Sequence, residues 1–293
     1  MNRREFLALG GAVLASWPDA RLHAQISPTK NSDEGLRQLL EPFARLDARR
    51  LPIGERVDRV AAQLVGTPYV GQTLETSDDV EVCTINLQGL DCVTYFETCL
   101  GIARMVALGQ NSMADLIRQV TLTRYRGGIL GGYLSRLHYT SEWIADNAKR
   151  GIVEDITHRL PGAVRFQKQI DFMSKHPESY RQLKANPDWI PKIAEIERGL
   201  SGALMYHVPK ASIAAAESEL QTGDIVAITT SIDGIDCSHT GLCHRDAEGR
   251  LRFRHASSSQ KKVVLDGRLS EYVASNSKNL GVMIARPLEI PSR

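Results

Sequence analysis

The sequence predicts an α+β fold, an antiparallel sheet carrying helices on one side. Three observations predict it. Apolar residues recur at intervals of three and four through most of the first 200 positions, compact apolar runs bounded by turn residues take over in the last third, and no internal repeat or low-complexity tract breaks that order. Helices first and strands later is the order of α+β domains, whereas a parallel α/β sheet alternates the two.

In chain order, residues 25–35 are polar, with Ser27, Pro28, Asn31 and Ser32, and read as a flexible lead-in. Leu36–Leu46 and Val57–Val65 place apolar residues at helical spacing and predict two helices. Gly66-Thr67-Pro68-Tyr69 breaks the second, because proline disfavours helix at the residue before it. A loop with Gly71, Asp78, Asp79 and Gly89 leads to Asp91. From there Val93, Phe96, Leu100, Ala103 and Val106 give one apolar helical face to about residue 108. Asp91 is a good N-cap type, which puts Cys92 in the first turn. Residues 112–122 and 137–150 predict further helices, the latter stopped by Gly151, and 165–200 are mostly helical in pattern with breaks at Pro177 and Pro187. Strands follow at Ile225–Ile228 after the turn dipeptide Gly223-Asp224, at Leu251–His255, at Val263–Leu265 and at Val282–Ala285. On this reading residues 36–293 form one domain with a helical insertion at about 110–200.

The N-terminus carries a different signal. Arg3-Arg4-Glu5-Phe6-Leu7 opens an apolar stretch from Phe6 to Trp17, too short for the roughly 20 residues that span a bilayer. It exits through Leu22-His23-Ala24. Residues 1–24 therefore read as a cleaved signal peptide, and the paired arginines resemble a twin-arginine signal, which exports folded cargo. The expected location is the periplasm or another exported one, with no membrane insertion after cleavage. The 36 Lys and Arg balance 34 Asp and Glu to a net charge of +2 without a basic block, which argues against a nucleic-acid binder. Nothing in the sequence points to a protein partner.

Five cysteines, Cys83, Cys92, Cys99, Cys237 and Cys243, leave at least one thiol unpaired if the others bridge in an oxidising compartment. A cysteine attacks only as thiolate, and a helix N-terminus favours that form. Cys92 holds such a position. It also needs a base, usually histidine, held by a third polar group. His239, in Cys237-Ser238-His239-Thr240-Gly241 at the head of a strand, and His255, at the end of the alternating Leu251-Arg252-Phe253-Arg254-His255, would sit on neighbouring strands as base and orienter. His244 is the third histidine of this region. The other four cysteines read as buried fillers or disulfide partners. Zinc fits poorly, since Cys237-Ser238-His239 with Cys243-His244 lacks the separated pairs of structural sites and no His-Glu-x-x-His occurs; no metal and no cofactor is expected.

Here the residues carry a resemblance. Gly66-Thr67-Pro68-Tyr69, Leu90-Asp91-Cys92, Gly223-Asp224-Ile225, Ser238-His239-Thr240-Gly241 and His255-Ala256-Ser257 follow the order of the motifs of NlpC/P60 cysteine peptidases. The chain departs from them in having Val93-Thr94 where Ser-Gly is usual, and in a long cysteine-to-histidine spacing. The intervening Arg124-Tyr125-Arg126-Gly127-Gly128, Ser135-Arg136-Leu137-His138-Tyr139 and Asp171-Phe172-Met173-Ser174-Lys175-His176-Pro177 resemble the DUF1460 branch, described as N-acetylmuramoyl-L-alanine amidase-like. The resemblance implies a papain-type core, an antiparallel sheet packed on the helix that carries the nucleophile, with additional helices. It also implies hydrolysis of the amide between N-acetylmuramic acid and L-alanine of peptidoglycan or muropeptides, with Cys92, His239 and His255 catalytic. Alternatives are an endopeptidase cutting within the stem peptide, a non-catalytic wall-binding module, and acyl transfer to a lipid by the same residues.

Four further residues are candidates for contact with substrate. The Tyr69 hydroxyl is a candidate to help the Cys92 N–H hold the oxyanion, or else Tyr69 is a packing residue. Arg124 and Arg126 are arginines of the kind that grip a stem carboxylate, or else form structural ion pairs. His138, expected within a helix, is either a substrate contact or a structural histidine.

Overall fold

The computed structural model describes residues 32–44 and 47–291. The expected signal peptide lies outside the described residues, and of the lead-in only 32–35 fall within them, as the start of a helix rather than a loop. Helices α1 (Ser32–Ala44), α2 (Ile53–Gln63), α3 (Cys92–Leu108), α4 (Met113–Arg124) and α5 (Thr140–Lys149) come first. They lie within a few residues of the positions that apolar spacing predicts.

Eight strands among the described residues, β1 (Val153–Asp155), β2 (Val164–Phe166), β3 (Met205–Pro209), β4 (Ile225–Thr230), β5 (Cys237–Arg245), β6 (Leu251–Ser257), β7 (Lys262–Arg268) and β8 (Asn279–Pro287), form one antiparallel sheet. Its order is β2-β3-β8-β4-β5-β6-β7, and β1 also pairs with β8. β4 is buried at all six positions, which is why its first four residues, Ile225–Ile228, form an apolar run without alternation.

The sheet has two covered faces. On one, Ala227, Leu242 and Ala256 meet Phe96, Leu100 and Ile102 of α3, and α3 is buried along nearly its whole length between the sheet and α2 and α4. On the other, Ile228, Phe253 and Ile284 pack against short helices α9 (Ile213–Ala216) and α10 (Leu269–Ala274) through Ile213, Leu269 and Val273. Helices on one side is thus half of the arrangement. A four- or six-residue helix has too few turns to show a 3.6-residue period, so sequence periodicity passes over it.

The span 165–200 is mostly helical, as its pattern predicts: α6 (Phe172–Lys175), α7 (Arg181–Ala185) and α8 (Ile190–Ser201) are interrupted around Pro177 and Pro187. Only its first residues differ, because they end β2, which pairs with β3. These pieces share a small core of Tyr133, Tyr139, Ile170, Met173, Leu183 and Ile193. Residues of α4 and α5 such as Leu116, Val120, Trp143 and Ile144 belong to the main core. Among the described residues no single helix is long and apolar enough to cross a membrane.

Candidate functional site

The site is built on the first turn of α3. The Thr94 N–H donates to Asp91 Oδ1 at 2.7 Å and the Asp91 N–H donates to Thr94 Oγ1 at 2.9 Å, a reciprocal capping box. Thr94, one of the two residues that stand in place of the Ser-Gly of the peptidases the motifs resemble, is the residue that closes it. The box fixes Cys92 as the first residue of the helix, half-buried. The head of β5 is tied to the same turn, since the Thr240 hydroxyl donates to the Cys92 carbonyl at 2.8 Å.

His239 precedes Thr240, and its Nε2 lies 2.7 Å from Nδ1 of His255 on β6, the two rings edge-to-face at 4.8 Å. His255 is fully buried and its Nε2 lies 3.4 Å from Asp266 Oδ2 on β7, an oxygen that also accepts from Gln260 Nε2 at 3.3 Å. A carboxylate accepts only, so it selects the His255 tautomer with hydrogen on Nε2. His255 Nδ1 then accepts from His239 Nε2–H, which leaves His239 Nδ1 with a free lone pair. Three strands in a row thus set the tautomer of one imidazole.

Two neighbours complete the surroundings. The Tyr272 ring lies 4.7 Å from His255 and 6.1 Å from His239, and burial, then Asp266, then the Cys92 sulfur push its hydroxyl up to about 12. Tyr69 is half-buried; burial first, then Cys92 and Asp91, raise its hydroxyl above the ordinary value. Gly241, the glycine of the His-x-Gly motif, has a steric reason: a Cβ there would sit 2.5 Å from Phe253 Cε2 and 2.7 Å from the Arg254 carbonyl. Phe253 in turn stacks on His255 at 4.6 Å, so the glycine sets the depth of the histidine pair. The Gly223-Asp224 turn is structural. Gly223 has φ +88° and lies against Gly54, and buried Asp224 receives Arg286 bidentately at 2.8 Å.

Charge in the resting site runs against the expectation of a helix-stabilised thiolate. Burial, then the Asp91 carboxylate, push the Cys92 thiol up to about 11, and burial, then His255, push His239 down to about 3. The helix N-terminus contributes only a partial charge, which desolvation and a full negative charge next door outweigh. Near neutral pH these directions make Cys92 a neutral thiol and His239 a neutral imidazole.

Other candidates lie elsewhere. Arg124 is 3 % exposed; its Nε donates to Glu97 Oε2 at 2.8 Å and its NH1 to the Thr84 carbonyl at 2.7 Å, so its donors face the core and not a substrate. Arg126 is half-exposed and donates from Nε to Glu142 Oε1 at 3.0 Å and from NH1 to the Leu134 carbonyl at 2.7 Å, which gives it too a structural pairing. His138 lies before α5, not within a helix. Its Nε2 is 2.9 Å from the Tyr133 carbonyl, its ring is 4.4 Å from the Tyr133 ring, and burial, then Arg136, hold its pKa well below the ordinary value. His244 sits 3.0 Å from Asp58 Oδ1. All five cysteines are free thiols, with Cys83, Cys99 and Cys243 buried. Among the described residues no group of three or more Cys, His, Asp or Glu is placed to hold a metal ion.

Sequence reasoning missed Asp266, Tyr272 and the role of Thr240. Thr240 stands inside the His-x-Gly motif as its spacer. Asp266 has no local signature, because only the β6–β7 pairing, with a register shift between Arg252 and Arg254, brings it to His255.

The chain was compared with known proteins. A family model described as AmiA-like, N-acetylmuramoyl-L-alanine amidase-like, matches residues 59–282. No curated protein matches. Among solved structures, an N-acetylmuramoyl-L-alanine amidase from Bacteroides uniformis is 34 % identical, with 81 % of this chain and 99 % of that chain covered and a TM-score of 0.74. A Bacteroides fragilis protein provisionally named a xylanase is 34 % identical, covers 77 % of this chain and 98 % of its own, and gives a TM-score of 0.71. A Legionella pneumophila protein of the DUF1460 family shares the fold at 21 % identity, with 88 % and 95 % coverage and a TM-score of 0.68.

Proposed function

The chain belongs to the AmiA-like, N-acetylmuramoyl-L-alanine amidase-like family, and from that premise we propose that it hydrolyses the amide between N-acetylmuramic acid and L-alanine of peptidoglycan, using Cys92 as nucleophile. The observation that carries the reading is the hydrogen-bonded row His239–His255–Asp266, joined to the helix start at Cys92 through Thr240.

His239 Nδ1 takes the Cys92 proton as sulfur attacks the amide carbonyl. The developing oxyanion is held by the Cys92 N–H at the helix start, with the Tyr69 hydroxyl as second donor. The same imidazole passes its proton to the leaving amine, the C–N bond breaks, and water then hydrolyses the thioester. His255 and Asp266 are positioning residues in this scheme, since they act through His239. A glycosidase, which the name of the Bacteroides fragilis neighbour suggests for that protein, uses two carboxylates flanking the bond. Here Asp91 caps α3 and Asp266 faces His255, which favours amide chemistry.

The order of motifs along β4, β5 and β6, with the cysteine at the head of α3, supports placement in the NlpC/P60 superfamily with a papain-type core. Export through the twin-arginine route fits the free thiols, because a chain folded before export carries its buried cysteines reduced. Mass spectrometry of digested sacculi tests the function. Wild type is expected to release intact stem peptides beginning with L-alanine, and Cys92→Ala to release none. Fragments cut within the stem would support the endopeptidase alternative, and equal digestion by Cys92→Ala would overturn the cysteine mechanism.

A further inference from the structure

Beside His239 lies a polar cavity of about 580 Å³, floored by Ile228 and Ile232 and walled by the loops 257–259 and 275–279. Its lining holds no aspartate or glutamate and a single cation, Lys278. The base of that lysine is rigid. Its carbonyl accepts from the Ser231 N–H at 2.8 Å and from the Thr230 hydroxyl at 3.2 Å, and its own N–H donates to Asn276 Oδ1 at 2.9 Å. The ammonium is exposed to solvent and has no carboxylate partner among the described residues. The hydroxyls of Ser238, Ser258 and Ser277 in the same lining are also without partners among the described residues.

We propose that this cavity is the subsite for the departing peptide, with Lys278 binding a carboxylate of that peptide. The inference rests on the amidase reading above. The side of the site it occupies follows from the mechanism. The imidazole that protonates the leaving nitrogen must face it, so whatever is attached to that nitrogen extends past His239, while the acyl group stays with the sulfur. His239 forms the cavity wall and Cys92 does not. The chemistry of the lining agrees. An unpaired ammonium among hydroxyls and amides, with no competing acid, selects an anion that also accepts hydrogen bonds. A peptide stem that continues through D-glutamate supplies free carboxylates on the amine side of the cleaved bond.

The test uses two muropeptides, each N-acetylmuramic acid carrying a tripeptide stem, one with the free glutamate carboxylate and the other with it amidated. Wild type is expected to favour the free acid in kcat/KM by about fivefold, the scale of one solvent-facing ion pair. Lys278→Met is expected to bring that ratio to about one, and Lys278→Arg to keep it, with thermal melts establishing that both variants fold. A ratio unchanged in Lys278→Met overturns the proposal. Calorimetry with the free tripeptide reads the cavity without turnover. Binding to wild type that weakens in Lys278→Met supports the subsite even if no muropeptide is cleaved, in which case only the amidase reading falls. Absence of tripeptide binding, or binding indifferent to Lys278, overturns the subsite itself. Binding of N-acetylmuramic acid in its place would assign the cavity to the sugar and equally overturn it.

Discussion

Arg124→Met is expected to destabilise the protein strongly while leaving substrate recognition intact. Glu97 is 1 % exposed and receives two side-chain donors, Arg124 Nε at 2.8 Å and Trp143 Nε1 at 3.2 Å. Burial already pushes the Glu97 carboxyl above its ordinary value against the pull of Arg124. Removing the guanidinium leaves a carboxylate in the core with the indole alone, and breaking a buried pair from one side costs about 3–5 kcal/mol. For a chain of this size each kcal/mol shifts Tm by about 2–4 °C, so the melt should fall by about 10 °C. Part of the cost is avoided by protonating Glu97, which adds a pH signature. The folded variant holds a proton that the unfolded chain releases above about pH 4.3, so its stability should fall further as pH rises through the acid range. Arg124→Met/Glu97→Gln should recover much of the loss, because a neutral pair needs no counter-charge. The assay is a thermal melt at pH 5 and pH 7 alongside KM for a muropeptide. A Tm within about 2 °C of wild type together with a raised KM would refute the structural assignment and return Arg124 to the substrate.

Three further outcomes are expected. With the Cys92 thiol raised to about 11, alkylation by iodoacetamide should accelerate about tenfold per pH unit from pH 6 to 9, and a flat rate over pH 5–8 would instead indicate a preformed thiolate–imidazolium pair. A carboxylate bonded directly to a catalytic base contributes up to about 10⁴ in kcat; Asp266 acts one ring further out, so Asp266→Asn should lower kcat about tenfold with little change in KM, Asp266→Glu should recover part, and an unchanged kcat would remove it from the relay. Gly241→Ala forces a methyl into Phe253 and the Arg254 carbonyl, which should cost about 1–3 kcal/mol in a denaturant melt and also lower activity, and a wild-type melt would show that the ring moves aside freely.

How much of this was legible in advance depended on distance along the chain. Local rules sufficed for α3, because Asp91, Cys92 and Thr94 build the cap within four residues and the apolar repeat that follows needs no partner to be recognised. The same holds for β4, whose opening apolar run Ile225–Ile228 announces burial on both faces. His239 and His255 could be named because each stands in a short motif at a strand end. β1 and β2 could not, since three-residue strands carry no period and exist only where β8 and β3 pair with them.

The sequence by itself determined which helix presents the cysteine, the buried strand β4, and which two histidines belong to neighbouring strands. Tertiary structure alone decided the fate of side chains whose partners are far away. Arg124 faces Glu97 from another helix and so belongs to the core, Asp266 reaches His255 only through strand pairing, and the five thiols remain apart. The charge state at Cys92 was decided there too. Helix position is a local property that favours the thiolate, but desolvation depends on everything packed around it, and in this fold desolvation and Asp91 prevail.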